Sequence, residues 1–148
     1  LYVHNLGHAV AAYLGYLEGA EYIHQAVEHP RVRAACAGAM EESCEALARS
    51  FPLEPADLAA HRADLLRRFG NAALCDTVAR VGRDPELKLA ADDRLVGAAR
   101  FCMEQGVTPR WIARGIAAAL RFGEAVPDAM PLAERRRREG VGPLLASL

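Results

Sequence analysis

The chain has 148 residues, 52% of them hydrophobic, which is enough for one domain with a buried core and too apolar for a disordered segment. Its 18 Lys and Arg against 19 Asp and Glu leave a net charge of -1, which excludes a general electrostatic pull towards nucleic acid or an anionic membrane surface. No apolar run approaches the roughly 20 residues of a membrane span, the apolar start lacks the basic region of a secretory leader, and Cys36, Cys44, Cys75 and Cys102 form no CxxC pair. These features predict reduced thiols in a soluble, cytoplasmic protein with no nucleic-acid or membrane partner.

The hydrophobic period is helical almost everywhere, aromatics are only 6%, and no Val- and Ile-rich alternating run marks a sheet, so the expected class is all-α. Asn5 is placed to N-cap a first helix whose apolar positions Val10, Tyr13, Leu14 and Leu17 share a face and which ends near Gly19. A short helix from Glu21 to Val27 follows. Pro30 then opens the longest helix, which runs to about Ser50. Pro52 and Pro55 break the chain before ADLAAHRADLLRRF, with Leu58, Leu65, Leu66 and Phe69 as its buried stripe and RFGN as its end. From Asp76 to Asp93 the pattern weakens into a polar, turn-rich segment around Gly82 and Pro85, of the kind that carries function. Two further helices are expected over Asp92–Gln105 and Pro109–Phe122, then a proline-punctuated linker, EAVPDAMP, the basic run RRRR at 135 to 138 and a short apolar tail. No internal repeat or second domain is visible in residues 1–148.

Chemistry concentrates in two places. His4 and His8 have the i, i+4 spacing of paired zinc ligands, but Asn5 stands where HExxH needs its Glu, so no metal is expected. Asn5 and His8, three residues apart, are helix neighbours whose amide and imidazole suit a substrate hydroxyl and carbonyl. Spacing alone leaves this open against a plain N-cap and a satisfied, half-buried histidine. The second place is RVGRDPELK, where Arg80 and Lys88 stand eight apart with Arg83 between them and Arg94 just beyond. A fork-shaped guanidinium suits polyol hydroxyls or an anion, and the bland alternative is a turn with surface ion pairs to Asp84, Glu86 or Asp92. Other features read as structural. The RRRR run beside Glu134 and Glu139 suits a solvated face, Trp111 with Ile112, Ile116 and Leu120 suits core packing, and Glu42 suits support of the first helix.

The stretches NLGHAVAAYLGYLEGAEYI, AMEESCEAL, RFGN, DTVARVGRDPELKL, DDRL and RGIAAALRF occur in an order that resembles the polyol-specific long-chain dehydrogenases, the mannitol dehydrogenase family, in its mannitol-1-phosphate branch. The resemblance covers nearly the whole chain. It implies the multi-helical, 6-phosphogluconate dehydrogenase-like C-terminal domain of that family, with the N-terminal Rossmann domain absent from these residues and acting as a partner. It also implies an NAD-dependent oxidation of mannitol 1-phosphate to fructose 6-phosphate, without a metal. In the family's pattern of Lys, four residues, Asn, two residues and His, the last two members fall on Asn5 and His8, and the Lys falls immediately before Leu1. The resemblance therefore implies a piece of a longer enzyme, inactive alone, in which Asn5 steadies the developing oxyanion and His8 orients the reacting oxygen. Arg80 and Lys88 match its substrate-contacting positions, and Arg83 and Arg94 add charge suited to a phosphate. One departure, Leu87 where a second basic residue is common, weakens that last point. A sister enzyme acting on free mannitol or a hexuronate, and a stand-alone helical binding module, are the alternative readings.

Overall fold

The structure, a computed structural model, describes residues 1–123 and 130–147. Among them ten helices and no strand are present, in line with the all-α expectation. The first, α1 (His4–Leu17), is the centre of the molecule. Leu6, Val10, Ala11, Ala12 and Tyr13 have no exposed surface, because α1 is covered by α2 (Ile23–Glu28), α3 (Pro30–Ser50), the one-turn α5 (Val78–Gly82) and α8 (Arg110–Ala119). A helix packed by four others needs small residues where neighbours press closest. A Cβ on Gly7 would lie 2.6 Å from the Met40 sulfur of α3, so the glycine is what lets α3 approach.

α3 follows the sequence reading closely, with Pro30 at its first turn and Ser50 at its end. α4 (Pro55–Phe69) buries Leu65 and Phe69, while Leu58 and Leu66 are only half-buried. α6 (Pro85–Leu89), α7 (Val96–Glu104), α9 (Met130–Glu139) and α10 (Val141–Ala146) complete the set. The expected linker lies outside the described residues except for Met130 and Pro131, which open α9.

Four expectations need correction. Asn5 does not cap α1: the helix begins two residues earlier with Val3 as its N-cap, and the Asn5 side chain is engaged by His4 instead. Leu17 is 39% exposed, since α1 ends there and its side chain lies outside the packed face of the last turn. The segment after Asp76 is not a loop but two single helical turns. The Thr77 hydroxyl caps the first by accepting from Arg80 N at 3.1 Å, and Pro85 starts the second. Glu42 supports α8 rather than α1: its carboxylate accepts from the backbone N–H of Trp111 (2.8 Å) and Ile112 (3.1 Å), satisfying donors that a helix N-terminus otherwise leaves unpaired. The arginine run also does more than face solvent, since Arg135 pairs with Glu86 at 3.4 Å and Arg136 donates to the Leu120 carbonyl, tying α9 to the body.

Candidate active site

The first turns of α1 carry His4, Asn5 and His8 to the edge of the core, all three half-buried. The Asn5 Oδ1 is an acceptor, so the 3.1 Å contact to His4 Nδ1 makes the His4 ring the donor. That leaves the Asn5 NH2 group to donate elsewhere. The His8 ring lies flat on Phe69, with centroids 5.0 Å apart and planes 7° apart, so Phe69 of α4 fixes the imidazole plane. Burial pulls His8 down to about 4, with His4, Arg80 and Arg94 acting in the same sense, so the ring is neutral at neutral pH.

The His8 Nε2 sits 3.4 Å from Oδ2 of Asp76, and Oδ1 of the same carboxylate pairs with Arg80. Two residues far apart in sequence therefore meet on one side chain. Asp76 is held rigidly for this. Its carbonyl accepts from Ile23 N at 2.9 Å, the Val78 N–H donates to Glu21 O at 2.8 Å, and Tyr22 and Thr77 form an antiparallel bridge between them. Arg80 is placed from below by packing: the buried Tyr13 hydroxyl donates to Gly82 O at 3.1 Å, and a Cβ on Gly82 would lie 2.5 Å from the Phe122 ring. Only glycine lets α5 close onto that aromatic pair.

A cavity of about 200 Å³ opens beside this group, lined by His4, His8, Ile23, His24, Arg68, Phe69, Asn71, Leu74 and Asp76. Its size and its mix of apolar wall with imidazole, amide, guanidinium and carboxylate suit a small polyhydroxylated ligand. His4 and His8 have ring centroids 5.7 Å apart, and among the described residues no third side chain completes a metal site.

The other expected site residues are placed differently. Lys88, the chain's single lysine, is 7% exposed and donates to the Arg83 carbonyl; burial, with Arg94 near, pulls its amine below the ordinary range. Arg94 is held on Asp93 at 2.7 Å, and exposed Arg83 lies 3.8 Å from Asp84. None of these three lines the cavity, and neither do Asn5 and Arg80, so His8 is the one expected site residue on its wall, with Arg80 joined to it through Asp76. Asp76, Arg68 and Asn71 were missed by the sequence reading. Only Asp76 had a local signal, its i, i+4 spacing to Arg80 on a short helical turn.

A sequence profile of the mannitol dehydrogenase C-terminal domain family matches residues 1–132. The mannitol-1-phosphate 5-dehydrogenase of Caldanaerobacter subterraneus subsp. tengcongensis is 43% identical over 122 residues, which are 82% of this chain and 32% of that protein. Its namesake in Bacillus licheniformis is 40% identical over 146 residues, 98% of this chain and 38% of the relative. The Paenarthrobacter aurescens protein of the same name is 42% identical over 128 residues, covering 86% and 34%. This chain thus spans about a third of the length of the relatives it matches.

Proposed function

The chain belongs to the mannitol dehydrogenase C-terminal domain family, and from that premise we propose that it is the substrate-binding domain of an NAD-dependent enzyme interconverting mannitol 1-phosphate and fructose 6-phosphate. The observation that carries the proposal is the meeting of His8 and Arg80 on the Asp76 carboxylate beside a ligand-sized cavity. Among the described residues no strand, glycine-rich turn and helix form a dinucleotide's phosphate cradle, so the described residues do not fit NAD by that motif. A partner domain of the whole protein is proposed to hold it, and the roles below belong to this chain alone.

Oxidation of a secondary alcohol strips the hydroxyl proton and leaves charge on oxygen on the way to the carbonyl. The free NH2 of Asn5 is placed to donate to that oxygen, because His4 occupies its carbonyl. His8, neutral and held flat on Phe69, offers a fixed imidazole to the reacting hydroxyl or its neighbour without adding a charge that would compete with Asn5. Arg80 keeps guanidinium N–H groups beyond those turned to Asp76 and is 60% exposed, so it is available to adjacent sugar hydroxyls. The proton acceptor is proposed to be a lysine outside these residues. Arg83 and Arg94, with Lys88 behind them, supply the positive field for a phosphate.

Steady-state kinetics on the full-length protein test this reading. Mannitol 1-phosphate and fructose 6-phosphate are expected to be turned over at least tenfold more efficiently than mannitol and fructose, the value of about one charge-assisted hydrogen bond. Equal efficiency with the free sugars would replace this reading by the sister enzyme that Leu87 already suggests.

A further inference from the structure

An aspartate four residues before an arginine on a helical turn is ordinarily a surface ion pair of little consequence. Asp76 departs from that pattern in three respects. Its carboxylate is only 18% exposed although Arg80 is 60% exposed. Its second oxygen is turned to an imidazole from another helix rather than to water. Its carbonyl accepts from Ile23 N at the start of α2, and two residues on Val78 N–H donates to Glu21 O, so the backbone that carries its side chain is fixed by the fold and not by the arginine.

We propose that Asp76 is a positioning residue of this site: one carboxylate oxygen fixes the orientation and tautomer of His8 while the other aims Arg80, so that imidazole and guanidinium meet a polyol as one unit. The proposal rests on the reading that His8 and Arg80 touch substrate. The chemistry is that of a shared acceptor. An ionised carboxylate only accepts, so the His8 nitrogen facing it, Nε2, carries the ring proton, and Nδ1 keeps the lone pair. His8 therefore receives a hydrogen bond from a substrate hydroxyl at Nδ1 rather than donating one. Burial of the ring, with the Arg80 guanidinium offsetting the carboxylate's charge, keeps the imidazole neutral instead of drawing a second proton onto it. Phe69 removes the remaining freedom by stacking on the ring. Metal-binding histidines are oriented by outer-shell carboxylates on the same principle, and loss of such a partner typically costs about 10- to 100-fold.

The test uses the full-length protein with Asp76→Asn, which keeps shape and removes charge, and Asp76→Glu as a second variant should the first not fold. Nitrogen-15 spectra of labelled histidine are expected to show His8 as the single Nε2–H tautomer in the wild type and as a mixture in the variant. Kinetically, kcat/KM is expected to fall about 30-fold in Asp76→Asn, but less than about threefold when His8→Ala and Arg80→Ala are already present. A structural role alone would give the same fold-loss in both backgrounds, and that result, or an unchanged His8 spectrum, would overturn the proposal. If the wild type turned over no polyol phosphate, the functional reading would fail separately, and the His8 spectra would still decide the role of Asp76.

Discussion

Two groups of charged residues stand in the stretch from Asp76 to Arg94, and they are built in opposite ways. In the first, Asp76 reaches out of its own turn to His8 of α1 while holding Arg80, and His8 and Asp76 border a cavity. In the second, each cation is satisfied close to home: Lys88 by the Arg83 carbonyl, Arg94 by adjacent Asp93, and Arg83 loosely by Asp84. The residue types are alike and the spacing is regular in both. What separates them is one long-range contact, which converts an i, i+4 ion pair into the wall of a site, whereas purely local pairs leave a charged surface with a field but little geometry. The first group is thus expected to govern turnover and sugar recognition, and the second to tune affinity for an anion.

The largest effect expected from this contrast is at His8. In the full-length protein His8→Ala is predicted to lower kcat by about 100-fold with little change in KM, as befits a group orienting the reacting oxygen; a pure KM effect in steady-state kinetics would move His8 to the binding group. Next comes pH. Because the folded protein holds His8 near 4 against an ordinary value of 6.5, the unfolded chain binds the extra proton between those values. Stability is therefore full above about pH 6.5 and falls as pH drops towards 4, by on the order of 3 kcal/mol in all. Thermal unfolding midpoints across this range are expected to flatten in His8→Gln, and an unaltered pH slope would mean that His8 is not the buried base described. Arg80→Ala is expected to raise KM for the sugar phosphate by about tenfold or more, the loss of one or two charge-assisted bonds worth about 1.5 to 3 kcal/mol each. The smallest effect belongs to Arg83→Ala. As an exposed residue with a 3.8 Å partner, it is expected to raise KM for the phosphorylated sugar by less than about fivefold and to leave free mannitol untouched. If Arg83→Ala exceeded Arg80→Ala in its effect, the contrast between the two groups would collapse.

Much of the frame is legible in the sequence. A proline at the first turn and small residues at helical spacing define α3 from Pro30 to Ser50, and RFGN stops α4, because these signals act through the local backbone. The start of α1 lies two residues before the one the sequence suggests, since Asn5 has the right chemistry for a cap, and only its contact with His4 shows that the side chain is used otherwise. The turns α5 and α6 were read as loop because five residues carry no period. They form where Thr77 and Pro85 start them and where the 21–23 segment pins the backbone. Asn5, His8 and Arg80 enter the candidate site through their resemblance to a family pattern, and the structure sets His8 and Arg80 on one carboxylate. Asp76 was hidden in a polar run, and its meaning depends on a neighbour from another helix that no spacing rule reports. The placement of Lys88 was equally hidden, since a lysine in a polar run reads as a mobile cation, whereas here it is buried and donates to the Arg83 carbonyl.

The central claim is that the sugar meets the Asn5, His8 and Arg80 face beside the cavity. A crystal structure of the full-length protein with mannitol 1-phosphate tests it most directly. The account predicts substrate hydroxyls at hydrogen-bond distance, about 2.6 to 3.2 Å, from the Asn5 amide, His8 Nδ1 and the Arg80 guanidinium, with Asp76 still between the last two. A polyol bound with its reacting carbon more than about 8 Å from His8, beyond even a water-mediated contact, would contradict it.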